Sequence, residues 1–195
     1  MSLRLFFAID LPPSVRQAID TWRVSRRFPG RPEPTPNLHI TLVFLGTYPS
    51  DSGSLDALTE VATRAPLRPF DIALDRATRW QNGILHLAPS RVPPEMAELH
   101  RALNEGCAEL GLKVDRRRFS PHVTLARECP PWRVKRPPSF GWRANKLTLF
   151  SSERGETGIT YRPIREWDMA EVEAETESGE GQPSASSSAV EVENA

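Results

Sequence analysis

The stretch His39-Ile-Thr-Leu42 decides how this chain is interpreted, because its pattern returns at His122-Val-Thr-Leu125. Both stretches read histidine, β-branched apolar residue, threonine and leucine, and they use two of the 4 histidines in 195 residues. Side chains at positions i and i+2 of a β-strand point to the same face of a sheet. Each stretch therefore predicts a strand with an imidazole and a hydroxyl on one face and two apolar side chains towards the core.

The segments that surround the two motifs repeat one order of elements. In each half, a predicted strand (4–9 or 83–87) precedes a Pro-Pro pair, an amphipathic helix, a loop and the motif strand (38–45, ended by Gly46, or 121–126). The apolar helix stripes comprise Val15, Ala18, Ile19 and Trp22 in the first half and Met96, Leu99, Leu103, Cys107 and Leu110 in the second. This order predicts an internal duplication with pseudo-twofold symmetry; two unrelated α+β halves in a coincidental order are the alternative.

The apolar periodicity in the rest of the chain predicts the other elements of an α+β fold. A helix is predicted at 52–64, and strands are predicted at 70–74, 147–150 and 164–167. We expect two pseudo-symmetric lobes of antiparallel sheet plus helices around a central cleft, with one motif strand on each wall.

Charge divides the chain into two parts. There are 25 basic and 25 acidic residues, but residues 170–195 hold seven Glu and no Lys or Arg, which leaves 25 basic against 18 acidic residues, or +7, in residues 1–169. We expect residues 1–169 to form a single domain. Residues 170–195 are rich in Glu, Ser, Ala and Gly without any aromatic residue, so they predict a disordered acidic tail. A mildly basic domain suits an anionic ligand, and a solvated surface explains it almost as well.

Composition favours a soluble cytoplasmic protein. The two cysteines, Cys107 and Cys129, form neither a CxxC site nor a disulfide framework. The N-terminal segment lacks the apolar stretch of a signal peptide, and no run approaches the roughly 18 apolar residues that span a membrane. We expect a monomer that does not associate with membranes.

The two motifs together suit phosphodiester cleavage. One imidazole can remove a proton from the attacking oxygen while the other protonates the leaving oxygen on the far side of the phosphorus. The hydroxyls of Thr41 and Thr124 can donate to the non-bridging phosphate oxygens, and the nearby Arg127 guanidinium suits a phosphate.

Other interpretations compete at each position. His39 and His122 could be strand histidines with satisfied ring nitrogens, or zinc ligands, although no Cys, Asp or Glu lies within two residues of either motif. Arg127 could form a surface salt bridge. The loop 116–118 could be solvated or contact an RNA backbone, and Trp80 could stack on a base or pack over the sheet edge.

Five stretches resemble the 2H phosphoesterase superfamily, and most closely its RNA 2′,3′-cyclic phosphodiesterase branch, formerly called 2′-5′ RNA ligases. They extend over residues 4–168 and comprise Arg4–Pro12, Asn37–Gly46, Phe119–Arg127, Leu147–Ser152 and Tyr161–Trp167. Either HxTL motif alone would be weak, whereas the set is specific.

The resemblance implies the bilobal 2H phosphoesterase fold and hydrolysis of an RNA terminal 2′,3′-cyclic phosphate to a 2′-phosphomonoester without a metal or cofactor. The partners would be RNA 3′ ends or nucleotides that carry this group. By position, His39 matches the proton donor, His122 the proton acceptor, Thr41 and Thr124 the phosphate-binding hydroxyls, and Arg127 a substrate-contacting arginine. A 2′-5′ RNA ligase acting on tRNA halves and a non-catalytic module that binds RNA ends or nucleotides are the alternatives.

Overall fold

The two motif strands lie in different antiparallel sheets. The computed structural model describes residues 2–132, 138–156 and 158–171. Their elements in chain order are β1 (Ser2–Asp10), α1 (Pro13–Ser25), β2 (Arg31–Pro32), a 3₁₀ helix (Thr35–Asn37), β3 (His39–Pro49), α2 (Ser52–Arg64), β4 (Phe70–Leu74), β5 (Arg76–Arg79), β6 (Leu85–Ala88), α3 (Pro94–Glu109), β7 (Val123–Arg127), β8 (Phe140–Ala144), β9 (Lys146–Gly155) and β10 (Gly158–Asp168). None of the helices in these ranges is long and apolar enough to cross a bilayer.

Sheet topology confirms the predicted α+β class with two lobes. The first sheet has the order β10-β9-β1-β3 and the second β2-β7-β6-β5, while β4 and β8 form a two-stranded sheet. In each lobe the motif strand pairs antiparallel with the strand that precedes its helix, β3 with β1 and β7 with β6. The lobes are not consecutive halves of the chain, because β9 and β10 complete the first sheet and β2 joins the second.

The motif strands face the core as predicted. Ile40, Val123 and Leu125 are fully buried and Leu42 is nearly so. These side chains belong to one hydrophobic cluster that includes residues of both large sheets. The histidine and threonine of each motif alternate with them, so they lie on the opposite face.

The helix of the second half follows its predicted stripe except at its end. Met96, Leu99, Leu103 and Cys107 are buried, but Leu110 is 42% exposed, so its predicted place in the stripe is wrong. The helix ends at Glu109, and the Leu112 N–H donates to the Cys107 carbonyl over 3.1 Å. Such a cap requires a left-handed residue, here Gly111 at φ 78°, and it turns the chain away before Leu110 can reach the core.

The buried face of α1 differs from the prediction. Ala18 is exposed, whereas Ile19 and the polar Arg23 are buried. The Arg23 guanidinium donates to the Glu33 carbonyl over 2.5 Å and to the Leu125 carbonyl over 3.0 Å. These carbonyls belong to the proline-rich loop and to β7, so the helix is rotated to bring a cation to them.

The first motif strand passes through Gly46, so the predicted end there is wrong. Its pairing with β1 shifts register between Leu5 and Phe6, where Gly46 and Phe44 are the partners. Gly46 has φ 73°, which a glycine adopts without strain. The residue is part of a bulge, and β3 continues to Pro49.

Other predicted strand boundaries move by one or two residues, except that β9 extends five residues beyond its predicted end and β10 begins six residues before its predicted start. The strand predicted at 121–126 begins at Val123, so His122 directly precedes it. The strand predicted at 83–87 begins at Leu85, because Gly83 (φ 85°) lies in a turn. In this turn the Gly83 N–H donates to the Trp80 carbonyl over 3.0 Å. Elements are present at 52–64, 70–74, 147–150 and 164–167, while β2, β5 and β8 were not predicted. The single domain over 1–169 stays a prediction, and residues 172–195 of the predicted tail lie outside the described residues.

Replacing Arg23 with alanine should destabilise the fold by about 1–3 kcal/mol, because the buried Glu33 carbonyl loses its donor. The Leu125 carbonyl loses one of two donors and keeps the Glu33 N–H over 3.0 Å. Urea unfolding followed by circular dichroism measures the change in the free energy of unfolding. Arg101→Ala, on the exposed face of α3, is the matched control and should stay within about 0.5 kcal/mol. Equal effects of the two substitutions would contradict the structural role of Arg23.

Candidate active site

His39 begins β3 and is held through both ring nitrogens. Its Nδ1 lies 2.7 Å from the Asn37 carbonyl and its Nε2 lies 2.9 Å from the Thr41 hydroxyl. A carbonyl only accepts, so Nδ1 carries a proton and donates, and in the neutral ring Nε2 accepts from Thr41. The predicted sharing of one face by the imidazole and the hydroxyl is therefore present in the first motif.

Aromatic side chains surround the His39 ring. Phe6 lies 4.9 Å away between ring centroids and Tyr161 meets it edge-on at 5.0 Å. Burial lowers the pKa of His39 below its ordinary value, while the Asn37 carbonyl and the carboxylate of Glu33 oppose that shift. A charge on His122 lowers the pKa of His39 further.

In the second lobe, a backbone carbonyl holds the Nδ1 atom of His122 in the same way. Its Nδ1 lies 2.9 Å from the Ser120 carbonyl, two residues earlier in the chain. The Trp80 ring meets it edge-on at 4.5 Å. Burial lowers the pKa of His122, the Ser120 carbonyl opposes that shift, and the positive charge of Arg127 adds to it.

A third histidine, His86, lies beside His122. His86 is 3% exposed, and its Nε2 lies 2.9 Å from the Thr78 hydroxyl. The ring centroid of His86 is 5.6 Å from that of His122 and 4.1 Å from that of Trp80. Burial lowers the pKa of His86 to about 4, so this ring is neutral near neutral pH. Trp80 thus packs over the sheet, one of its two predicted placements.

Thr124 completes a row of polar side chains across the second sheet. It pairs with His86 in β6, which in turn pairs with Thr78 in β5. The side chain is half-buried and alternates with the buried Val123 and Leu125. It therefore stands on the same face as His86.

The two motif histidines line two cavities that share part of their linings. One has a volume of about 820 Å³ and is lined by His39, Thr41 and Arg127, among others. The other has about 700 Å³ and is lined by His122. Thr41 and Phe44 line both, so these β3 residues border the cavity of each histidine. Thr124 is not part of either lining.

Arg127 forms an ion pair and also lines the first cavity. Its Nε donates to the Glu33 carboxylate over 3.0 Å, and its side chain remains 39% exposed. The salt bridge and a substrate contact, considered as alternatives from the sequence, are thus compatible. In the basic loop, Arg117 pairs with Asp115 at the surface, and Arg117 and Arg118 line the second cavity.

The cysteines and acidic residues form no second reactive centre within the described ranges. Burial raises the pKa of the Cys107 thiol to about 12, which leaves it protonated and inert. Cys129 is buried and donates to the Pro29 carbonyl over 2.7 Å. No group of three or more His, Cys, Asp or Glu side chains in these ranges could hold a metal ion.

Known proteins resemble this chain in sequence and in fold. An RNA 2′,3′-cyclic phosphodiesterase from Escherichia coli is 33% identical over 173 residues, which cover 86% of this chain and 97% of that protein. One from Thermus thermophilus is 29% identical over 187 residues, covering 86% of this chain and 90% of the relative. A crystal structure of E. coli LigT complexed with 3′-AMP matches with a TM-score of 0.81 and 31% identity, over 88% of this chain and 100% of that one.

A family model matches most of the chain. The model of the 2′-5′ RNA ligase superfamily matches residues 11–156, a range that contains both histidine motifs. Together with the two-lobed architecture and the paired motifs, this match identifies the chain as a member of the 2′-5′ RNA ligase superfamily.

Proposed function

We propose that the protein hydrolyses terminal 2′,3′-cyclic phosphates on RNA to 2′-phosphomonoesters, with two histidines as acid and base. The observation that carries the proposal is the matched anchoring of His39 and His122 by backbone carbonyls, in two cavities that share Thr41 in their linings. The curated name of the E. coli relative, RNA 2′,3′-cyclic phosphodiesterase, supports the same reaction.

Anchoring at Nδ1 leaves Nε2 as the reactive atom of each ring. In the proposed step, neutral His122 accepts a proton at Nε2 from a water whose oxygen attacks phosphorus. The bond from phosphorus to the 3′ oxygen breaks, and protonated His39 gives its Nε2 proton to that oxygen. Exchange with solvent then returns both rings to their starting states.

Charges around the two rings favour this division of roles. The Glu33 carboxylate raises the pKa of His39, which favours its protonated form. The Arg127 guanidinium lowers the pKa of His122, which favours its neutral form. Burial lowers the pKa of both rings and is the larger effect on each, while the two charged neighbours act on them with opposite signs.

The remaining predicted residues act on the phosphate. We propose that the Thr41 and Thr124 hydroxyls donate to its non-bridging oxygens and that Arg127 provides positive charge beside it. No metal or cofactor takes part in the proposed step. The proposed substrates are RNA 3′ ends or nucleotides that carry the cyclic phosphate.

Substituting either His39 or His122 with alanine should lower kcat/KM by about 10²–10⁴-fold, because each removes one partner of the proton transfer. A nucleoside 2′,3′-cyclic phosphate, with EDTA present and chromatographic separation of products, measures this. Thermal unfolding checks that each variant is folded. The wild-type rate should be the same with and without EDTA.

Four outcomes would contradict the proposal. Loss of turnover in EDTA would require a metal, and full activity of either variant would require another acid or base. Tight binding without product would identify a binding module, and joining of RNA ends faster than hydrolysis would identify a ligase.

The valine variants of Thr41 and Thr124 keep the β-branched shape but lose the hydroxyl. Removing one donor to a developing oxyanion costs about 10²–10³-fold in kcat. We expect each variant to lose kcat by that order, measured in the same assay. Thr47→Val, exposed near the end of β3, is the control and should keep the wild-type kcat. Unchanged rates in both variants would remove the hydroxyls from the mechanism.

The pH dependence of kcat/KM should be bell-shaped with its maximum below pH 6.5. The rate rises with pH as His122 loses its proton and falls as His39 loses its proton. Because both pKa values are lowered from the ordinary 6.5, both limbs move to the acidic side. Initial rates across a pH series at substrate concentrations below KM measure this profile. A maximum on the alkaline side of neutrality would contradict it.

A further inference from the structure

Two arginines in the first cavity have no carboxylate partner among the described residues. Arg4 and Arg154 are both exposed and both line the cavity that contains His39. In the same lining, Arg127 pairs with Glu33, and Arg31 pairs with Glu128 over 3.1 Å. In the proposed step, Arg127 is the arginine that acts on the phosphate. Arg4 and Arg154 have no assigned role in that step.

The sheet places these arginines on the face that carries the site, but away from the histidine. Arg4 pairs with Ser152, and Arg154 lies two residues further along β9, so the pleat turns both to one face. Ala8, four residues after Arg4, pairs with Thr41. At about 3.3 Å per residue, roughly 13 Å of strand separates Arg4 from the level of Thr41. That length is several times the diameter of a single phosphate group.

An exposed aromatic ring fills the interval. Phe44 is 45% exposed, and the Arg4 guanidinium lies over its ring at 5.4 Å from the centroid. This contact holds the guanidinium by cation–π attraction rather than by a carboxylate, which keeps its hydrogen-bond donors available. A cavity with an exposed aromatic face and unpaired arginines has the chemistry that binds single-stranded nucleic acid, where bases stack and phosphates meet cations.

We propose that Arg4 and Arg154 bind backbone phosphates of the RNA strand that precedes the terminal cyclic phosphate. The inference rests on the proposed function, since it takes the reacting phosphate to lie beside His39 and Thr41. It makes the preferred substrate an oligonucleotide, because a nucleoside cyclic phosphate has no group that reaches these arginines.

The test compares three substrates that share one terminal nucleoside 2′,3′-cyclic phosphate. The first is the nucleoside cyclic phosphate alone, the second carries an added 5′-phosphate, and the third is a short oligoribonucleotide that ends in the same group. The enzymes are wild type, Arg4→Gln, Arg154→Gln and the double variant, and kcat/KM is measured over a series of salt concentrations. Arg101→Gln, an exposed arginine of α3 outside both cavities, is the matched control.

We expect the wild-type enzyme and the Arg101 control to prefer the oligonucleotide. Each cavity substitution should lower kcat/KM for the oligonucleotide by about tenfold at low salt, the scale of a hydrogen bond to a charged group. The dependence of log kcat/KM on log salt should flatten by about 0.7 for each lost phosphate contact. Turnover of the nucleoside cyclic phosphate should not change in any of the variants.

Equal use of the oligonucleotide and the nucleoside by the wild-type enzyme would overturn the inference, as would an unchanged salt dependence in the double variant. If the added 5′-phosphate alone gives the whole gain, one phosphate accounts for it and the second arginine binds no backbone phosphate, which also overturns the inference. The nucleoside assay distinguishes this failure from failure of the proposed function, because wild-type hydrolysis of the nucleoside needs neither arginine.

Discussion

One hydrogen bond, repeated in each lobe, determines what the site can do. The Nδ1 proton of His39 binds the Asn37 carbonyl, and that of His122 binds the Ser120 carbonyl. In both motifs the acceptor lies two residues before the histidine, so the local backbone sets the tautomer and the direction of Nε2. The site therefore depends on the two short segments that precede the motif strands, more than on the strands themselves.

A network of buried polar contacts fixes the first of these segments. Arg23 donates to the carbonyls of Glu33 and Leu125. Asn37 donates through its side chain to the Ile159 carbonyl over 2.7 Å. The proline-rich loop is thus tied to the second sheet through Leu125 and to the first through Ile159. A shift between the lobes would break these bonds, which couples the position of His39 to the arrangement of both walls.

The sequence predicts those parts of the molecule that depend on local pattern. Alternation in the HxTL stretches places Ile40 and Val123 in the core, and the Pro-Pro pairs mark the helix starts correctly. The errors arise where distant partners decide. Arg23 replaces Ala18 on the buried face because its acceptors lie in a loop and in β7, and Gly46 continues a strand because β1 accommodates a bulge. His86 joins the site only through its pairing with Thr124, and that register is not written in the local sequence.

Two nearly identical motifs acquire different character from their neighbours rather than from their own residues. Burial shifts both imidazoles towards the neutral form, so their shared motif alone gives no direction to proton transfer. Glu33 and Arg127 break this equivalence, and they do so as an ion pair that spans 3.0 Å between the loop and the end of β7. The carboxylate acts on His39 and the guanidinium on His122, each with the sign that the proposed role requires. A single salt bridge beside the second sheet thus acts on the two rings with opposite signs, which is the polarity that the proposed acid–base step needs.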